Sequence, residues 1–169
     1  AILSLAAEKG GWGTPLPAGR GRGIAMVECF GTIVVHVAEV EVKEDGTVKV
    51  RRVTTAADCG MAVNPDGFRA QMEGGIIFGL SAALHGEITI DHGAVVQQNF
   101  PDYDVVRLAE CPEIDVHIHE SDAPLGGAGE PGIPPVAPAV TNAIFAVTGM
   151  RIRELPVKKH ALGKMAQAS

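Results

Sequence analysis

The chain has 169 residues, 46% of them hydrophobic and 20% charged, and its 14 basic and 20 acidic side chains leave a formal charge of −6. This is the composition of a globular domain rather than a disordered one, and the acidic balance argues against a nucleic-acid partner. No run of about 18 apolar residues is present to form a membrane span.

Residues 1–23 read as a lead-in, a short helix AILSLAAEK followed by a Gly/Pro loop. The opening has neither an initiator Met nor a basic leader, so the expectation is a piece of a longer polypeptide. GRGRG at 19–23 is locally basic, which is weak evidence for contact with an anion. The next block is rich in β-branched residues, and VHVAEVEV and VKVRRV alternate. Strands are expected near 24–42 and 47–57. Asp-Gly within EDGT (44–47) joins them as an antiparallel hairpin.

At Asn64 the period changes. Asn64-Pro65-Asp66 marks a helix start, and Phe68, Met72, Ile76, Leu80 and Leu84 fall four apart in one stripe. Gln71, Gly74, Gly75, Phe78 and Ala82 share a second face. Glycine inside a helix costs about 1 kcal/mol against alanine. Gly74, Gly75 and Gly79 together therefore imply that a neighbouring strand or another group approaches the backbone closely.

Residues 87–96 read as a short hairpin, NFPDYDVVRLAECP (99–112) as mostly loop with room for one turn of helix, and EIDVHIHES (113–121) as a strand. PPVAPAVTNAIFAVTG gives an apolar helix over about 135–148, with prolines in its first turn and Gly149 at its end. RIRELPV reads as a last strand, and 158–169 as a helix or tail. The organisation is thus a lead-in (1–23), a subdomain (24–157) and a tail (158–169). The fold class is α+β, a mixed or antiparallel sheet with packed helices.

Few residues stand out chemically. The stretch GGAGEPGIPP (126–135) surrounds one charged side chain, Glu130, with four glycines and three prolines. Pro131 pushes the Glu130 backbone away from helix, and the flanking glycines leave room beside the carboxylate. Such a loop presents a carboxylate to a cofactor or substrate, or else the carboxylate caps the next helix or pairs with an arginine; local sequence leaves both open. His117 and His119 alternate as metal ligands sometimes do, although a solvated strand face is the commoner reason. Asp58 and Cys59 end a strand and suit a turn. Asp102 and Tyr103 lie in a loop and point to no chemistry. Cys29, Cys59 and Cys111 form no CxxC pair, so no zinc or iron–sulfur motif is encoded, and their odd number fits buried thiols.

Taken together, the motifs resemble a known family. DCGMAVNPDGFRAQMEGGIIFGLSAAL is similar to the segment of molybdenum hydroxylase large subunits that runs from a D-x-G…N-P turn to Q-x-E-G-G. The run from NFPDYDVVRLAECPEIDVHIHES to GGAGEPGIPPVAPAVTNAIFAVTGMRIRELPV is similar to the end of the same subunits, and RGIAMVECFGTIVVHVAEVEV to the strand pair before both. The family is the xanthine dehydrogenase/aldehyde oxidase group, and the wording of the loop is nearest to isoquinoline 1-oxidoreductase beta subunits. The resemblance covers roughly residues 20–157.

It implies that Glu130 is the catalytic base, that Gln71 hydrogen-bonds a molybdopterin, and that the small Gly74 and Gly75 let their helix come close to it. The implied reaction oxidises an aldehyde or an N-heteroaromatic compound with water as the oxygen source. Electrons leave to [2Fe–2S] clusters on a small subunit or another domain. The family's subunit is several times longer, so the remainder of it is an expected partner. In isolation the chain is expected to be inactive, to bind no molybdenum–molybdopterin and to self-associate. The alternative is a non-catalytic binding or assembly module of the same fold. A small metal-binding protein using His117 and His119 is a weaker third reading. Neither substrate nor compartment is legible.

Overall fold

In the computed structural model, residues 1–163 are described. Helix α1 (Ile2–Lys9) leads into strands β1 (Arg20–Cys29), β2 (Thr32–Val42) and β3 (Val48–Asp58). Helix α2 (Pro65–Leu84), the small strands β4 (Ile90–Asp91) and β5 (Ala94–Val95), strand β6 (Glu113–Ile118) and helix α3 (Val136–Thr148) follow. The main sheet has the order β1-β2-β3-β6; its first three strands are antiparallel, and β6 runs parallel to β3. The α+β class and the mixed sheet are therefore as expected.

Side-chain alternation sorts the sheet's two faces. Val34, Ala38 and Val40 of β2 point toward α2 and α3, while Val35 and Val37 point toward α1. Met72, Ile76 and Leu80, the centre of the expected α2 stripe, are fully buried with Val136, Val140 and Ile144 of α3. Burying side chains of this size contributes roughly 1.5–3 kcal/mol each. On the other face Ile2 and Ala6 of α1 cover Val35, Val37 and Ala56, so the lead-in belongs to the same core.

Two turns explain the strand pairing. The EDGT hairpin forms as expected, with Gly46 at φ 85° and the Asp45 carboxylate accepting from the Thr47 N–H at 2.9 Å. The single run expected over 24–42 is instead two strands, because Phe30 (φ 53°) and Gly31 (φ 74°) make a tight turn between Cys29 and Thr32. Both left-handed residues suit a two-residue hairpin, but Phe-Gly carries none of the Asn-Gly or Asp-Gly signal. The small β4–β5 hairpin turns in the same way on His92 and Gly93.

The GRGRG stretch is not a loop but the start of β1. Gly21 and Gly23 lie under α3: a Cβ at Gly23 would fall on the Ala139 carbonyl and the Ala143 amide, and one at Gly21 would lie 2.7 Å from Val147. The intervening arginines face the other way. Arg20 and Arg22 pair with Glu39 at 3.3 and 3.1 Å, and Arg22 also donates to the Gly11 carbonyl at 2.8 Å. Their charge is used internally, which removes the anion contact considered for this stretch.

Helix α2 starts on Asn64, whose side chain accepts from the Gly67 N–H at 3.0 Å, and α3 ends on left-handed Gly149. The strand expected at RIRELPV does not form. Pro156 lacks the N–H a ladder needs, and Ile152, Val157 and Leu162 drop into the main core instead. The strand expected over 113–121 stops at Ile118, where the chain turns and Ser121 donates to the Asp58 carboxylate at 2.8 Å. Of the 158–169 segment, residues 164–169 lie outside the described part.

The contact of α3 with bare β1 backbone predicts that Gly23→Ala destabilises the chain by about 3 kcal/mol, at the upper end of overpacking costs because the neighbour is helix backbone. Urea unfolding of the two proteins measures it; equal midpoints and slopes would refute the contact.

Candidate active site and cofactor face

The loop that carries Glu130 is held through its backbone by three separate elements. Gly126 donates to the Cys59 carbonyl at 2.9 Å beyond β3, and Gly127 donates to the Phe30 carbonyl at 2.8 Å in the β1–β2 turn. Thr32, at the start of β2, returns a hydroxyl to the Gly127 carbonyl at 2.6 Å. A Cβ at Gly126 would fall on the Thr32 hydroxyl and the Gly31 carbonyl, so glycine is required there for close approach. Further on, Pro131 and Gly132 are buried, and Gly132 sits against Met72 of α2. Between these anchors Glu130 is exposed, and nothing crowds Gly129 beside it.

The carboxylate is neither a helix cap nor an arginine partner. Helix α3 has no side-chain cap. The arginines nearest the sheet are engaged elsewhere: Arg20 and Arg22 with Glu39, Arg51 with Glu41, and Arg52 with Asp115. Among the described residues Glu130 therefore has neither of the two structural roles that the sequence left open for it.

His36, which the sequence reading passed over, braces the loop from below. It lies in the middle of β2, fully buried, on the face that carries α2 and α3. Its Nε2 is 2.8 Å from the Gly132 carbonyl and its Nδ1 is 2.8 Å from the Thr55 hydroxyl on β3. A carbonyl only accepts, so Nε2 carries the proton and donates to Gly132, while Nδ1 accepts from Thr55. Burial pushes the imidazole down to about 4, against weaker raising effects from its hydrogen bonds to the backbone, so it is neutral at pH 7. The only available signal was a histidine at an inward position of the strand, between Val34 and Ala38.

Helix α2 presents its second face beside the loop. Gln71 is exposed and lines an apolar pocket of about 260 Å³ with Cys59, Met61, Val63, Leu125 and Ala128. Gly74 is exposed, with nothing near the place a Cβ would occupy. Gly75 is buried, and a Cβ there would lie 3.4 Å from Gly132; one at Gly79 would be 2.8 Å from Val136. The close approach expected from these glycines is thus made by the Glu130 loop and α3, not by a strand. A pocket of about 360 Å³ at the β2–β3 turn, near His85 and His160, includes none of these residues.

Of the remaining candidates only Cys59 borders this face, its carbonyl anchoring the loop and the residue lining the Gln71 pocket. Cys59 is buried and its thiol is pushed up by burial, which disfavours a nucleophilic thiolate. Asp58 makes the turn after β3, accepting from the Gly60 N–H at 2.9 Å. His117 contacts Asp115 at 3.0 Å, and among the described residues no three His, Cys, Asp or Glu side chains gather as a metal site. Asp102 accepts from the Gln98 N–H within its own loop.

The sequence profile of the molybdopterin cofactor-binding domain family matches residues 8–112, and the chain belongs to that family. It is 35% identical over 172 residues to isoquinoline 1-oxidoreductase subunit beta of Brevundimonas diminuta, covering 99% of this chain and 22% of that one. It is 37% identical over 164 residues to the membrane-bound aldehyde dehydrogenase [pyrroloquinoline-quinone] of Gluconacetobacter polyoxogenes, covering 94% of this chain and 21% of that one. Among solved structures it resembles the aldehyde oxidoreductase of Desulfovibrio gigas, with TM-score 0.67 and 26% identity over 81% of this chain and 16% of that one. The chain therefore spans about a fifth of the length of the curated relatives.

Neutral, buried His36 makes stability depend on pH. Its ordinary value of 6.5 holds in the unfolded chain, against about 4 when folded. Between those values only the unfolded chain binds the proton, so His36 costs nothing above pH 6.5, lowers stability as pH falls, and adds no further loss below about pH 4. Each unit is worth about 1.4 kcal/mol, so from pH 7 to 4.5 the loss exceeds that of His36→Gln by about 2 kcal/mol. Urea unfolding of both proteins at the two pH values checks this; parallel losses would show that His36 is not the group responsible.

Proposed function

We propose that this chain forms the base-bearing wall of a molybdenum hydroxylase active site, with Glu130 as the general base in oxidising an aldehyde or an N-heteroaromatic compound with water as the oxygen source. The observation that carries the reading is an exposed carboxylate without a partner among the described residues, on a loop fixed at both sides by backbone contacts. A base works only when held within hydrogen-bond reach of the proton it takes. The glycines beside Glu130 keep that approach open, while the anchors at Gly127 and Gly132 limit its wander.

The residues next to the loop fit a molybdopterin. A pterin is flat and has an amide-like edge; Gln71 offers a donor and an acceptor together, and Gly74 leaves the helix backbone bare beside it. Gly75 acts from behind, letting the Glu130 loop seat against α2. A bound molybdenum–molybdopterin would supply the two-electron redox chemistry, which the side chains of this chain do not. Glu130 would accept the proton released as water oxygen is transferred, and the apolar pocket beside Gln71 would keep bulk water away.

These residues make one wall. The remainder of the large subunit supplies the others, and its partner is a [2Fe–2S] small subunit or domain that takes the electrons. Exposed Phe30, Met61, Val63 and Leu125 form the apolar rim where that remainder packs; without it the chain binds no cofactor, is inactive and self-associates through the same rim.

Two measurements test the proposal. In the complete enzyme Glu130→Gln lowers kcat by about 10²–10⁴-fold, the usual share of a general base, with molybdenum content unchanged; a kcat near that of the unmodified enzyme removes Glu130 from the role. Elemental analysis of the purified complete enzyme gives about one molybdenum per large subunit, and release of pyrroloquinoline quinone instead would overturn the cofactor assignment. The chain expressed alone carries little or no molybdenum, and a full complement would show that the site is not divided.

A further inference from the structure

We propose that His36 is a positioning residue for Glu130: its neutral imidazole, set as the Nε2–H tautomer by the Gly132 carbonyl and oriented by the Thr55 hydroxyl on Nδ1, holds that carbonyl and so sets where the carboxylate stands. The inference rests on the reading of Glu130 as the base, and goes beyond it by naming what aims that base.

The geometry singles out this contact. Gly129 and Glu130 stand exposed between two anchors. One is backbone to backbone, Gly126 and Gly127 on the Cys59 and Phe30 carbonyls. The other, two residues beyond Glu130, depends on a side chain, the Nε2–H of His36 at 2.8 Å from the Gly132 carbonyl. The same peptide region is pinned from its other side by Met72 of α2, and Ile133 donates back to the Glu130 carbonyl at 2.9 Å. Movement at Gly132 is therefore passed to Glu130 through a single tight turn.

A purely structural filler at this place would be apolar. Position 36 lies between Val34 and Ala38, whose side chains belong to the two apolar clusters on this face. An imidazole buried there is tolerated because both nitrogens are paired, and loss of either partner leaves a buried polar group unpaired. Titratable groups do not crowd it: its strand neighbours are Ala25 on β1 and Thr55 on β3, and the Gly132 carbonyl takes its Nε2. No carboxylate is placed to charge it, so the imidazole serves as a fixed donor rather than as a proton carrier.

Two conservative variants in the complete enzyme separate positioning from mere filling. The amide of His36→Gln reaches the place of Nε2 and keeps the donor to Gly132. His36→Asn ends near the place of Nδ1, keeping Thr55 but releasing Gly132. The expected result is that His36→Asn lowers kcat about 10–100-fold, the scale of a small misplacement of a catalytic group, with KM and molybdenum content little changed. His36→Gln retains most of the activity. Hydrogen exchange in the peptide spanning 126–135 quickens in the Asn variant and not in the Gln variant.

If Glu130→Gln abolishes turnover while His36→Asn retains full kcat, the base stands and the positioning role is overturned. If Glu130→Gln is active, the base reading fails; exchange in 126–135 then decides whether His36 holds the loop, equal rates in the two variants overturning it. Should the Asn variant fail to assemble, Thr55→Val, which removes the hydroxyl that orients the imidazole toward Gly132, takes its place. Unchanged kcat and unchanged exchange in that variant would likewise overturn the proposal.

Discussion

Helix α3 lies on β1 with no strand side chain between them at Gly21 and Gly23, and the rest of the site follows from that contact. Gly21 and Gly23 bring the helix down onto the sheet, which fixes the height at which its first turn begins. That turn is continuous with Gly132, so the carbonyl arrives within reach of His36 on the neighbouring strand. A side chain at Gly23 would lift α3, and the hydrogen bond beneath the loop would be lengthened with it. Packing at one edge of the sheet thus sets the geometry several residues away at Glu130.

The site is made of backbone more than of side chains. The anchors of the 126–135 loop are amides and carbonyls of Cys59, Phe30 and Gly127, helped by one hydroxyl and one imidazole. Such anchors leave few rotamers to fluctuate, which suits a group that must be in place before reaction begins. On the α2 side the logic is reversed: the backbone at Gly74 is left bare and Gln71 faces an open pocket, with no partner among the described residues.

Much of this was legible in the sequence because it rests on local signals. Asn64-Pro65, the four-residue stripe from Phe68 and the Asp-Gly at 45–46 each specify structure within a few residues, and the elements they predict are present. The unusual glycine and proline density around Glu130 announced a rigid loop. What was misread depended on distant partners. Phe30-Gly31 makes a turn because β1 returns along β2, not because its residues favour one. GRGRG looked like a loop, since nothing local shows that a helix far along the chain needs those glycines. RIRELPV alternates like a strand, yet Pro156 and the pull of the core on Ile152 and Val157 take it elsewhere. His36 was passed over for the same reason, because its partners, Thr55 and Gly132, are known only once the chain is folded.

The parallel pairing of β6 with β3 carries a different kind of consequence. The chain leaves β3 at Asp58 and returns at Glu113, and its outer part holds the exposed β4–β5 hairpin and the solvent-facing Phe100 and Leu108. The entropy of closing such an excursion grows only with the logarithm of its length, about 0.6 kcal/mol per doubling. Residues of the β4–β5 hairpin can therefore be gained or lost at little entropic cost, since no anchor of the Glu130 loop lies among them, whereas Val106 further on packs against the main core. That outer segment is where evolution, or an engineer, has freedom to reshape what surrounds the site while leaving its aim intact.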